Sequence, residues 1–278
     1  MRRKQENRYK ISIEKELKLA ERQEDALRRA AVKQEVPRWR TALEEKVPEK
    51  IYENLKKAFC KAFQIVFEKG GGIIEKTYDR ESIREDQEIR AFAFQVKGDR
   101  KSLKNIRKDA NASNLRNMAV TSLEGIGLGA LGIGLPDIVL FVGILLKGIY
   151  EISLRYGYDY TLDGERYFML KLMEGAMQKG DAWEACSREV DHLAAAGQDL
   201  TGTPEAVRDQ IPHTAEAFAA DMVVLKFIQG LPVVGILGGA GNPVYYRRVM
   251  KYAELKYRRR YLLDLQKNVG SAQEGMGE

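Results

Sequence analysis

Residues 126–146 read IGLGALGIGLPDIVLFVGILL, an apolar run in an otherwise charged chain, and no other stretch constrains the fold as much. Its length matches the ~20 residues that cross a bilayer as a helix. Pro136, however, removes a backbone donor near the middle, and Asp137 would sit at a few kcal/mol of cost in hydrocarbon. The run therefore reads as two apolar segments folded back on each other rather than one plain spanning helix. Five glycines at positions 125, 127, 129, 132 and 134 precede the proline. Each weakens an exposed helix by about 1 kcal/mol relative to alanine, so close packing must compensate. Gly125 and Gly129 have the G-x-x-x-G spacing that lets helix backbones approach closely.

A second apolar patch, GLPVVGILGGAGNP over 230–243, repeats the Gly-Leu-Pro start and the glycine density, with Gly235 and Gly239 again four apart. It is too short to span a bilayer. Strong aliphatic runs are confined to these two places, which excludes a polytopic transporter and leaves one buried or membrane-dipping hairpin. The first residues never reach an apolar core after their basic start, so no secretory signal is expected. Cys60 and Cys186 stand far apart with no C-x-x-C spacing, against a disulfide framework or a structural zinc site and in keeping with a reducing cytosol.

The rest of the chain reads as helices. Residues 1–36 are dense in Glu, Lys and Arg and form a charged, solvated or partly disordered N-terminal helix ending at Pro37. From Pro48, Ile51, Leu55, Phe59, Phe63 and Phe67 recur at four-residue steps, and the glycines at 70–72 supply a stop. Residues 79–96 form a further helix, 97–102 a turn, and 102–124 a helix that loses charge toward the glycine-rich run. After Pro136 a second apolar helix extends to Tyr156 and stops at Gly157. Helices follow over 163–179 and 181–196, then one from Pro204 to about Gln229 with a break or kink at Pro212. Pro243 opens a basic helix, and the tail over 268–278 is disordered. No strand-like alternation occurs, so the fold class is all-α, a multi-helix bundle with a principal domain over 37–267.

Charge is concentrated in that last helix. Residues 243–267 carry eight Lys or Arg and two acids, a net +6 equal to the whole chain's. At 100° per residue Tyr246, Val249, Met250, Ala253, Tyr257 and Tyr261 share one stripe, and Arg247, Arg248, Lys251, Arg258 and Arg259 lie opposite. Three readings are open: a solvated face, a face for anionic lipid, or a face for nucleic acid, the last disfavoured because no nucleic-acid motif accompanies it.

Catalytic signals are sparse. His192 and His213 lie in no metal motif, the glycines lack the strand and Lys-Ser or Lys-Thr of a phosphate loop, and Cys60 reads as a packed residue. Asp137 either caps the helix after Pro136 or pairs with Arg155 or Arg166 in a buried site. Glu124 has the same two readings, and with His192 these acids are the candidates for a soluble hydrolase. No metal and no cofactor are expected.

These residues resemble a known family. The segment GLGALGIGLPDI over 127–138, RYGYD over 155–159, Glu165 and Arg166 followed by Leu170 and Leu172, and the glycine-rich 232–242 segment followed by Tyr245-x-Arg247-Arg248 are similar in order and spacing to the EcsC protein family, over Pro48 to Lys267. The family is named for a gene beside those of an ABC transporter and has no established activity, so no catalytic residue is carried over. The resemblance implies a bacterial helical protein of the cell envelope, with transporter proteins as partners. A cytoplasmic protein held at the inner face of the membrane through anionic lipid is the leading expectation. A hydrolase and a scaffold that binds partners through its N-terminal helix are the alternatives.

Overall fold

A computed structural model of the chain describes residues 2–32, 48–119, 136–228 and 243–274. The described residues form ten α-helices and no strand: α1 (Arg2–Val32), α2 (Glu49–Ile65), α3 (Gly71–Glu75), α4 (Arg80–Lys97), α5 (Arg100–Ala119), α6 (Pro136–Arg155), α7 (Asp163–Met177), α8 (Gly180–Ala196), α9 (Pro204–Ile228) and α10 (Pro243–Glu274).

Local chemistry sets most of the boundaries. Asp79 accepts a hydrogen bond from the Ser82 amide at 3.0 Å and starts α4. Gly98, at φ +59°, ends it, because that left-handed turn suits a residue without Cβ. Asp99 then accepts from the Ser102 amide and hydroxyl, at 2.9 and 2.7 Å, to start α5.

Three boundaries depart from expectation. The glycine triplet does not stop the helix: α2 continues through a π turn, Val66–Gly70, into α3, with Ile74 buried. Of the break or kink expected at Pro212, the break does not occur: α9 continues past it, and the proline lies on the exposed side, where the carbonyl it leaves without a donor can meet water. The last helix runs past 268 to Glu274.

α6, the second half of the apolar run, lies inside the bundle. Phe141, Val142, Leu145, Leu146, Ile149 and Ile152 are all buried, and α2, α4, α5 and α10 pack around the helix. Its mostly apolar composition follows from the protein packed around it, although Glu151 is buried in it as well. Among the described residues no helix is long and apolar enough to cross a membrane.

α10 is the partner that orders the rest. It runs parallel to α6: a methyl at Gly148 would come within 2.5 Å of Met250 Sδ, Tyr156 donates to Glu254 at 2.9 Å, and Tyr158 to Asp264 at 2.7 Å, so the two numberings rise together. α7 runs antiparallel to it, with Glu165 beside Arg260 and Gly175 beside Tyr252. α1 is antiparallel as well, Glu24 meeting Lys256 and Lys10 lying near Gln266. The expected solvated N-terminal helix thus packs into the bundle through Ile13, Glu16 and Ala20, all buried.

The topology gathers four helix ends at one pole. α9 follows the direction of α7 and brings Asp221 to Arg248, near the start of α10. α5 begins beside Glu16, at the far end, and rises past Arg155 toward the start of α6. The connections 120–135 and 229–242 therefore join helix ends at the same pole of the bundle.

Candidate functional site

The residues with the most chemistry lie along α10, and most of them are turned inward. Arg260 is 1% exposed. Its Nη1 donates to Glu165 Oε2 at 2.8 Å, its Nε and Nη2 to the Gly197 carbonyl at 3.1 and 2.7 Å, and its guanidinium stands 4.0 Å over the Tyr158 ring. Tyr257 donates to the other oxygen of Glu165. Burial raises the Glu165 carboxyl above its ordinary value, and Arg260 and Tyr257 oppose that shift. Gly197 holds the carbonyl in place at φ +65°, with Asp264 filling the space a side chain would need.

A second cluster surrounds Lys256, whose side chain is wholly buried. Its ammonium donates to Glu24 of α1, to Ser187 Oγ at 3.0 Å and to Asp191 at 2.7 Å of α8. Arg259 shares Glu24 and Asp191, and Arg258 donates to Gln23. A third joins Arg248 and Lys179 to Asp221, the former at 2.7 Å. A fourth lies off α10, where buried Glu16 of α1 binds Arg100 at 2.7 Å and Arg107 at 2.5 Å of α5.

This placement revises the basic face read from sequence. The tyrosine stripe is buried, as the periodicity requires, but the arginines opposite it are not a solvated face: Arg258 is 3% exposed, Arg259 is committed to α1 and α8, and Arg248 to α9. The physical reason is that α1 and α8 cover the far side of α10, so it has no free back. Of the five expected anion-binding residues only Arg247 and Lys251 are exposed.

Arg260 and Lys256, absent from that reading, carry the deepest charges. A signal existed: Arg260 is three residues past Tyr257 and seven past Ala253, which places it inside the buried stripe.

Of the acid and base candidates, the described residues place only the histidines with their side chains. His192 and His213 are exposed on α8 and α9. Arg155 binds Asp109 at 2.5 Å and Arg166 lies near Asp163, so both cations weighed as partners of Asp137 have other carboxylates. Asp137 stands in the first turn of α6 and its carboxylate is outside the described residues, as are Glu124, Gly125, Gly129, Gly235 and Gly239. Burial pushes the Cys186 thiol up to about 12, which keeps it protonated and a poor nucleophile. Among the described residues no group of three or more His, Cys, Asp or Glu is placed to hold a metal ion. A half-open pocket of about 140 Å³ lies beside the start of α10, with Trp183 and Tyr252 in its wall, and its two cations, Arg248 and Lys179, are those already held by Asp221.

The arrangement defines a class: an all-helical bundle built around two parallel buried helices, one apolar and one charged. The chain belongs to the EcsC protein family, which it matches over residues 12–262. The match starts inside α1, well before Pro48, and so takes in Glu16 and Glu24, the acids through which α1 holds the bundle. No curated protein and no solved structure matches the chain.

Proposed function

We propose that this protein is a non-enzymatic helical module of the cell envelope that docks on the anionic inner face of the membrane through one pole. The carrying observation is that α6 and α10 run parallel, so both glycine-rich apolar connections, 120–135 and 229–242, issue from the same end of the bundle. Apolar residues there enter the headgroup region, and Arg247 and Lys251, exposed in the first turns of α10, contribute about 1 kcal/mol each against anionic lipid. The other basic residues of α10 act as internal ties. A membrane-embedded partner such as an ABC-type transporter would be met at the same pole.

Co-sedimentation with neutral and anionic vesicles tests the reading. The expected result is preferential pelleting with anionic vesicles that survives a high-salt wash. Leu131→Asp with Leu237→Asp removes the salt-resistant fraction, and Arg247→Gln with Lys251→Gln removes the anionic preference. Failure to pellet with either vesicle overturns the proposal.

A further inference from the structure

The half-open pocket beside the start of α10 combines two kinds of surface. Leu27 and Ala30 of α1, Trp183 of α8 and Tyr252 of α10 give it apolar area, and Lys179, just before α8, and Arg248, in the second turn of α10, give it two positive charges. No carboxylate lines it. Asp221, which binds both cations, is 6% exposed and is not part of the lining. It therefore orients the two cations from the core and neutralises one charge of the two.

Arg248 divides its guanidinium between two tasks. Nη1 donates to Asp221 at 2.7 Å and the group stands 5.4 Å over the Tyr245 ring, which fixes its plane. Nε and Nη2 make no hydrogen bond to a described residue, and 35% of the side chain is exposed. An oriented guanidinium with donors to spare, beside an ammonium, is a donor set for an oxyanion. The aromatic and aliphatic surface next to it suits the carbon stem that carries such an anion.

Size narrows the class of ligand. The volume of about 140 Å³ is well below the roughly 300–1,000 Å³ of pockets that enclose a whole drug-sized molecule. A compact group such as a phosphate with a few carbons enters, and anything larger stays outside the mouth. The excess of one positive charge matches a phosphodiester, which carries one negative charge.

We propose that this pocket binds the phosphate of a small phosphate ester, supplied at the membrane by the headgroup of an anionic phospholipid whose acyl chains remain outside. The source of the ligand rests on the membrane reading above; the site itself does not. Arg247 and Lys251 draw the chain to an anionic surface, and Arg248 and Lys179 hold one headgroup there.

Trp183 provides the readout. The only other tryptophan of the chain is Trp39, so the full-length Trp39→Phe variant emits from the pocket wall alone. It is titrated with dihexanoylphosphatidylglycerol below its micellar range, with glycerol 3-phosphate, and with hexanoylglycerol, which lacks the phosphate. The expected result is a saturable change in emission with the phospholipid, weakened about tenfold or more by Arg248→Gln. Ala30→Phe, which fills the mouth from an exposed position and should leave the thermal melt unchanged, abolishes it. Tighter binding of the phospholipid supports the membrane source, and equal binding of glycerol 3-phosphate supports the site with a soluble ester as its ligand. No saturable response to either phosphate, equal binding of hexanoylglycerol, or binding that survives both variants overturns the proposal. Because no vesicle is used, a pocket that binds in a chain that fails to pellet leaves the site standing and removes the membrane reading alone.

Discussion

α6 and α10 lie side by side in the same core and reach burial by opposite means. α6 is mostly apolar and is met largely by apolar neighbours, with few charges, among them buried Glu151 and Arg155, which binds Asp109. α10 is among the most charged segments of the chain, yet Lys256, Arg258 and Arg260 are as buried as the leucines of α6. For α6 the stabilising quantity is area removed from water, on the order of 25 cal/mol per Å², and nearly any apolar neighbour serves. α10 carries cations whose burial is tolerable only if each finds a particular oxygen, because an unpaired buried charge costs several kcal/mol. The apolar helix is thus held by quantity and the charged helix by address.

Leaving one charge alone should give the largest effect. Glu165→Met strands the Arg260 guanidinium, which cannot shed its proton, and is expected to cost about 3–5 kcal/mol in urea unfolding. Arg260→Met should cost less, since Glu165, already raised by burial, can hold a proton instead. The double variant should fall well short of the sum of the two losses; strict additivity would mean that the pair is not coupled. On the other helix, Leu145→Ala removes a fully buried side chain and should cost about 2–5 kcal/mol with no dependence on pH.

Where the two helices touch, Gly148→Ala should cost about 1–3 kcal/mol, because a methyl would meet Met250 and the Tyr246 hydroxyl. An unchanged melting temperature would show that these side-chain ends swing aside freely.

The smallest effect concerns pH. Burial raises the Glu254 carboxyl above the 4.5 of a free glutamate, with Arg258 opposing. The folded chain therefore keeps a proton there that the unfolded chain releases, and the stability this confers is present below pH 4.5 and declines as pH rises through the raised value. Glu254→Gln cannot titrate, so its melting temperature relative to the wild type should rise from acid pH to neutrality; a flat difference would refute the assignment.

How much of this was legible beforehand follows the same division. α6, α7, α8 and the start of α10 at Pro243 were readable because glycine, proline and apolar periodicity act locally. The buried stripe of α10 was readable for the same reason. The burial of its opposite face was not, since it depends on α1, more than 200 residues away, whose sequence looks like that of a helix in water. Glu24 and Glu16 carry no local mark that separates them from the exposed acids beside them. The π turn after Ile65 escaped because three glycines in a row normally end a helix, and here α3 carries Ile74 into the core instead. For the same reason, which connections share a pole is set by the topology and leaves no local mark in the sequence.

The contact between α1 and α10 joins residues 232 positions apart, and α10 follows the other described helices. During synthesis, Glu24, Asp191 and Glu165 are therefore made long before the cations that neutralise them. Until α10 emerges, α1 and α7 can hold no more than part of their final neighbours, and closure of the core is a late, high-contact-order event. The order of translation makes α10 the helix that completes this core.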